Sequence, residues 1–237
     1  MTARSRFYRE VSVDSPSLME WGYRVLLDGK PIRTPAGSLL LLPKPALAEA
    51  IAEEWRVQSE KLRPETMILT KLANMAADQV TPNRATAVAQ IIAFARSDLL
   101  CYRAETPGSL VERQTAAWDP LLDWARTRYG TALVAGTGIN FVEQPAAALT
   151  ALERAVTEHD AFVLAGLHAA TALLGSAIIA LALLENRLTA EQAFTAAQLD
   201  EIYQAERWGQ DSEAQNLAIR KSEELSDVAR YFTIVRG

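Results

Sequence analysis

A chain of 237 residues can form one large domain or two small ones around a substantial core. Hydrophobic residues make up 49% and charged residues 22%, which excludes wholesale disorder. The net charge of −5, from 24 basic and 29 acidic residues, argues against a nucleic-acid partner, and the single Cys101 excludes an intramolecular disulfide.

The start, Met1-Thr2-Ala3-Arg4-Ser5-Arg6, has no apolar signal region, and Arg4 and Arg6 alone make a poor transit peptide. This fits a cytoplasmic bacterial protein, or a mature form that has already been cut. Phe7, Arg9, Val11 and Val13 then share one face of an extended segment, and Tyr23, Val25 and Leu27 alternate in the same way. Asp28-Gly29-Lys30-Pro31 is a hairpin signal, since Asp-Gly supplies the positive φ angles of a tight turn. Ile32, the turn Pro35-Ala36-Gly37 and the run Leu39 to Leu42 complete a small antiparallel sheet over roughly residues 6–43.

From Pro45 the spacing turns helical, with Leu47, Ile51, Trp55 and Gln58 in register. Met67 to Val80 is expected to be extended first and helical later. Ala85 to Leu99 places Val88, Ile91, Ile92 and Ala95 on one stripe. Asp119-Pro120 reads as a helix start, with Asp as N-cap and Pro at the first helical position. Gly130 to Pro145 is expected as a loop with a short strand at Ile139 to Val142. Helices follow at Ala146 to Glu158 and at Asp160 to Glu185. A third, opened by the capping box of Thr189 and Gln192, runs to Arg207, and a last stretch covers Ser212 to Phe232. The fold class is α+β: a small N-terminal antiparallel β domain at 1–44, then a larger all-helical domain at 45–237.

The uncharged run Ala161 to Leu184 reaches the length of a membrane span, roughly 20 residues for ~30 Å. Its small residues, its polar His168, Thr171 and Ser176, and flanks without basic bias favour a helix buried on all sides. His159 and His168 make no metal cluster with one cysteine, so no metal or other cofactor is expected, and His168 reads as a core residue. Cys101, in Leu99-Leu100-Cys101-Tyr102, has an apolar setting that should raise its pKa and keep it inert. Gly136-Thr137-Gly138 lacks the further residues of a dinucleotide fingerprint or a phosphate loop and reads as a loop. No catalytic residue is assigned.

The segment Leu199 to Asp211 carries more chemistry. On a helix, Asp200, Gln204 and Arg207 share one face, while Glu201 and Trp208 lie near another. Carboxylates beside aromatics suit a partner-binding surface, because Trp, Tyr and Arg dominate interface hot spots. A solvated face with Trp208 packed inward fits the residues equally well.

This segment resembles the C-terminal signature of the ATP-twelve chaperone family, assembly factors for the F(1) sector of ATP synthase. Other stretches agree in order: Leu26 to Pro35, Ala52 to Trp55, Leu72 to Asp78, Ser97 to Arg103, Trp118 to Trp124 and Leu174 to Ser176. The resemblance covers about Arg6 to Phe232. It implies a chaperone, not an enzyme, that binds the free F(1) alpha subunit and keeps it from aggregating, without nucleotide. It also implies a functionally important acid near the end of the chain, carried here to Glu201 with Asp200 and Glu206 as neighbours. The partner-binding set is Asp200, Glu201, Gln204, Glu206, Arg207, Trp208 and Asp211, on a monomer that does not insert stably into membranes. The competing readings are a helical enzyme with a carboxylate general base and a protein anchored through 161–184.

Overall fold

The computed structural model describes residues 5–15, 21–138, 140–209 and 211–237, and these gather into two units. The first takes residues 1–84, 161–166 and 230–237; the second takes 85–160 and 167–229.

In the first unit, β1 (Val11–Asp14), β2 (Arg24–Leu27) and β3 (Lys30–Pro31) form an antiparallel sheet in that order. Val11 pairs with Leu27 and Val13 with Val25, and Leu27 pairs with Lys30 across the turn. Asp28 and Gly29 hold the positive φ values, 47° and 76°, that the Asp-Gly turn requires. The Asp28 carboxylate also accepts the backbone N–H groups of Arg9 (3.0 Å) and Glu10 (2.8 Å), which hold its pKa below the usual range. The stretch before Val11 is less regular than its alternation suggests, and Phe7 stays 67% exposed. The run Leu39 to Leu42 joins through single bridges, Arg33 to Leu39 and Tyr23 to Leu42.

Helix α1 (Pro45–Arg56) buries Leu47, Ala48, Ile51 and Ala52 against this sheet. Its Glu54 is buried too, and its carboxylate accepts from the Leu69 N–H (2.7 Å), the Thr70 N–H (2.8 Å) and the Thr70 hydroxyl (2.6 Å). The two N–H groups are first-turn donors of α2 (Ile68–Met75), which would otherwise be orphaned. That is why 67–80 does not begin extended: after a single 3-10 turn at Pro64–Thr66 the helix opens at once. It continues into a π turn at Ala76–Val80, closed by the Thr81 N–H donating to the Ala76 carbonyl at 2.9 Å.

The second unit consists, among the described residues, of helices, their connecting loops and one short parallel strand pair. Its helices are α3 (from Arg84 to Arg96), α4 (Gly108–Tyr129), α5 (Ala146–Thr157), α7 (Ala177–Leu184), α8 (Ala190–Ala197) and α9 (Leu199–Trp208). The later part of α6 (Ala161–Leu174) and the earlier part of α10 (Ser212–Arg236) belong here as well. Strands β4 (Tyr102–Arg103) and β5 (Gly136–Thr137) form the pair. The expected strand at 139–142 is displaced to β5. Ile139 lies outside the described residues, and 140–142 are not strand. Gly136 permits the pairing, because a Cβ there would collide with the Val142 side chain.

Helix α3 stops at Arg96, short of Leu99, and α10 runs past Phe232 to Arg236; three other boundaries differ for identifiable reasons. Pro120 lies inside α4, which starts at Gly108, so Asp119 is no N-cap. Proline forfeits one helical hydrogen bond and costs ~3 kcal/mol. Burial of Trp118 and Leu121 on either side, with the Trp118 indole N–H donating to the Ala196 carbonyl at 2.9 Å, offsets it. The run 160–185 is two helices, because Gly175 turns left-handed at φ 65° and Ser176 caps α7 by accepting the Ile179 N–H at 3.0 Å. The capping box of Thr189 and Gln192 forms as expected, but α8 ends at Ala197 and α9 begins anew after Gln198.

Every residue of α7 is buried, and most of α6 is too. Among the described residues no helix is long and apolar enough to cross a membrane. His168 is half-buried, and desolvation lowers its pKa.

Candidate functional site: the exposed face of α9

Helix α9 buries one ring, Tyr203, and the rest of its chemistry is arranged around that anchor. The Tyr203 hydroxyl lies 2.6 Å from the Ser109 hydroxyl on α4. Arg207 stacks on one region of the ring at 4.5 Å and donates to Ser109 at 3.1 Å; Arg113 approaches the same ring at 5.2 Å. Arg113 also pairs with Glu206 at 2.7 Å. At the start of α9, Asp200 accepts from the side-chain amide of Gln114 at 2.8 Å, and the Gln114 oxygen accepts the Ala104 N–H at 2.8 Å.

So Asp200, Glu206 and Arg207 are spent on holding α9 to α4. Asp211 serves the next helix instead. One of its carboxylate oxygens accepts the Glu213 N–H (2.6 Å) and the Ala214 N–H (3.2 Å), capping α10. Gly209, at φ 82°, ends α9.

What remains is Glu201, Gln204 and Trp208. Trp208 is 77% exposed, which overturns the inward-packed alternative. Among the described residues Glu201 has no ion-pair or hydrogen-bond partner. With Ala205, Asp211 and Ala214 these three line a shallow hollow of about 270 Å³ at the α9–α10 corner. The seven residues singled out from the sequence therefore lie along α9 and the turn after it, and they divide between bracing α9, capping α10 and display. Ser109, Arg113 and Gln114, which do half of the bracing, were missed. Their sequence distances from α9 partners, 86 to 98 residues, leave no local signal.

Elsewhere the chemistry is quiet. Cys101 is buried, and desolvation, with the nearby Asp98 charge, pushes its thiol up to about 12. Among the described residues no group of three His, Cys, Asp or Glu side chains is placed to hold a metal ion. In the first unit a more apolar groove of about 600 Å³ is lined by Trp55, Leu62, Met67, Asn74 and Met75.

The family model of the ATP12 chaperone protein matches residues 5–126. The chain belongs to the ATP12 chaperone family. It is 39% identical to Atp12 from Paracoccus denitrificans, whose crystal structure superposes with a TM-score of 0.90 over 97% of each chain. An aspartate-to-lysine mutant of that protein matches at 38% identity, with a TM-score of 0.89 over 97% of each chain. The Atu1473 protein of Agrobacterium tumefaciens is 39% identical, with a TM-score of 0.92 over 98% of this chain and 86% of that one. The mitochondrial atp12 protein of Schizosaccharomyces pombe is 27% identical, the match covering 81% of this chain and 70% of that protein. The α+β order found here, sheet first and helices after, is that of the ATP12 structures.

Proposed function

We propose that this chain is an assembly chaperone for the F(1) sector of ATP synthase. It binds the free alpha subunit in the bacterial cytoplasm through the exposed end of α9 and keeps that subunit from aggregating. The observation that carries the reading is Trp208, a large aromatic side chain left 77% exposed beside Glu201, which has no partner among the described residues, on a helix whose other charges are occupied. An unassembled ring subunit exposes apolar interface and is prone to aggregate. A chaperone that must later let go needs a small aromatic anchor with charge around it, not a wide greasy surface. Holding of this kind needs neither a nucleotide nor a catalytic group. Glu201 and Glu206 lie on an open surface, Asp200 is taken up by the Gln114 amide, and the fully buried Asp98 is enclosed by backbone N–H groups, so none is set up as a general base.

The test is a pull-down from native bacterial lysate with the tagged full chain, together with light scattering of purified free alpha subunit. Alpha subunit should be recovered without beta, and its scattering should fall. The variant Glu201→Lys should fold normally and bind about 30-fold more weakly, the cost of losing a hot spot. Unchanged scattering with wild-type protein and no recovered alpha subunit would refute the client; wild-type binding by Glu201→Lys would refute the site.

A further inference from the structure

We infer that the hollow at the α9–α10 corner receives a single arginine side chain of the client, its guanidinium lying on the Trp208 ring and its charge answered by Glu201. The inference rests on the proposed client reading and specifies the chemistry that α9 recognises. Three observations carry it.

The first is charge. The lining of the hollow includes Glu201, Asp211 and Gln204, and among the described residues no cation lines it. Glu201 has no partner among the described residues, and Asp211 engages only one of its two oxygens in capping α10. The cations on α9 and on the α4 face that braces it are committed elsewhere, Arg207 to Tyr203 and Ser109 and Arg113 to Glu206, and Arg220 and Lys221 further along α10 are not part of the lining. The site therefore has acceptors in excess, and a guanidinium brings five N–H donors in one plane.

The second is the aromatic surface. Indole is the best of the side-chain rings for a cation. On the same helix Tyr203 already has two guanidinium groups within 5.2 Å of its centroid. Trp208, the stronger acceptor, has none among the described residues and is exposed. The third is the floor. Ala205 and Ala214 are small and apolar, and they suit the methylene stem that carries such a head group.

Two measurements on the full chain separate this inference from the client assignment. In the first, ¹⁵N-labelled protein is titrated with N-acetyl-arginine amide, and with N-acetyl-norleucine amide as the uncharged control. The indole signal of Trp208, assigned through Trp208→Phe, should move with the arginine probe only. Glu201→Gln should weaken that response about fivefold, the scale of one exposed charge contact. In the second, free alpha subunit is bound by wild type, Glu201→Gln, Trp208→Leu and the double variant. Trp208→Leu keeps apolar bulk yet should weaken binding about tenfold if its ring holds a cation. The double variant should lose less than the product of the single losses, because both residues hold one group.

A Trp208 signal that ignores the arginine probe, or follows norleucine equally, overturns the inference whether or not alpha subunit binds. Multiplicative losses in the double variant overturn it as well. A positive arginine response in a protein that captures no alpha subunit leaves the arginine site standing and removes the proposed client.

Discussion

Asp98 is a fully buried carboxylate at the junction of two short elements. One oxygen accepts the Leu100 N–H at 3.1 Å, and the other accepts the Ala177 N–H at 2.9 Å and the Ile178 N–H at 3.3 Å. It so caps the 3-10 turn Leu99–Cys101 and the start of α7 together. Burial drives its pKa up from 3.8 to about 6, against the opposing pull of Ser176 and the backbone donors. A carboxyl that holds its proton more tightly when folded favours the folded state below the unfolded value, and this contribution fades as pH rises through the folded one. Urea unfolding across pH should therefore show wild type losing stability between pH 3.8 and about 6 relative to Asp98→Asn, and no further divergence above that window. Asp98→Ala, which orphans three buried N–H groups, should cost about 3 kcal/mol or more at any pH. A flat difference between wild type and Asp98→Asn would mean that the group stays ionised throughout. Inertness of Cys101 could be read from its apolar neighbours. The role of Asp98 could not, because its acceptors' partners lie 79 and 80 residues ahead.

At the scale of elements, periodicity located the helices but not where they stop. The sheet, α1, α5 and the capping box of α8 follow from residues adjacent in sequence. The break at Gly175-Ser176 looked like the interior of one apolar helix, since apolar residues on both sides hid the left-handed glycine. Pro120 misled in the opposite direction: a locally valid start signal was overridden by the packing of Trp118 and Leu121. The display face of α9 was legible as a mixture of charge and aromatics, yet which residues display and which brace depends on α4. That dependence gives a prediction. Gln114 is almost fully buried and ties Ala104 to Asp200. Gln114→Leu leaves the Ala104 N–H without its acceptor and releases the first turn of α9, at about 1–3 kcal/mol. Hydrogen exchange should accelerate across 199–208, and the proposed capture of alpha subunit should weaken although residue 114 does not line the hollow. Unchanged exchange in α9 would show that Tyr203, with the Arg113–Glu206 pair and the Arg207–Ser109 bond, fixes the helix without Gln114.

For the molecule as a whole, secondary structure changes type at Pro45, while the first unit continues to residue 84 and recruits two distant segments, 161–166 and 230–237. Tyr231, Phe232 and Val235 are buried there. The Tyr231 hydroxyl donates to the Phe162 carbonyl at 3.1 Å. Gly166 permits the close fit, since a Cβ on it would stand 2.7 Å from the Phe232 ring. The last turns of α10 are thus core of a unit whose sheet begins more than 200 residues earlier, an arrangement that no local window of sequence reveals. Removing the segment after Ala229 deletes three buried side chains, two of them aromatic. Phe232→Ala alone should cost about 3–5 kcal/mol by the large-to-small rule for buried aromatics. In both variants amide exchange should rise in β2 and α1, elements far from the lesion in sequence. Gly166→Ala, which adds only a methyl group against Phe232, should produce a weaker version of the same pattern, because overpacking costs about 1–3 kcal/mol. If truncation frayed only α10 and left exchange in β2 and α1 at the wild-type rate, the first unit would be complete without its C-terminal segment.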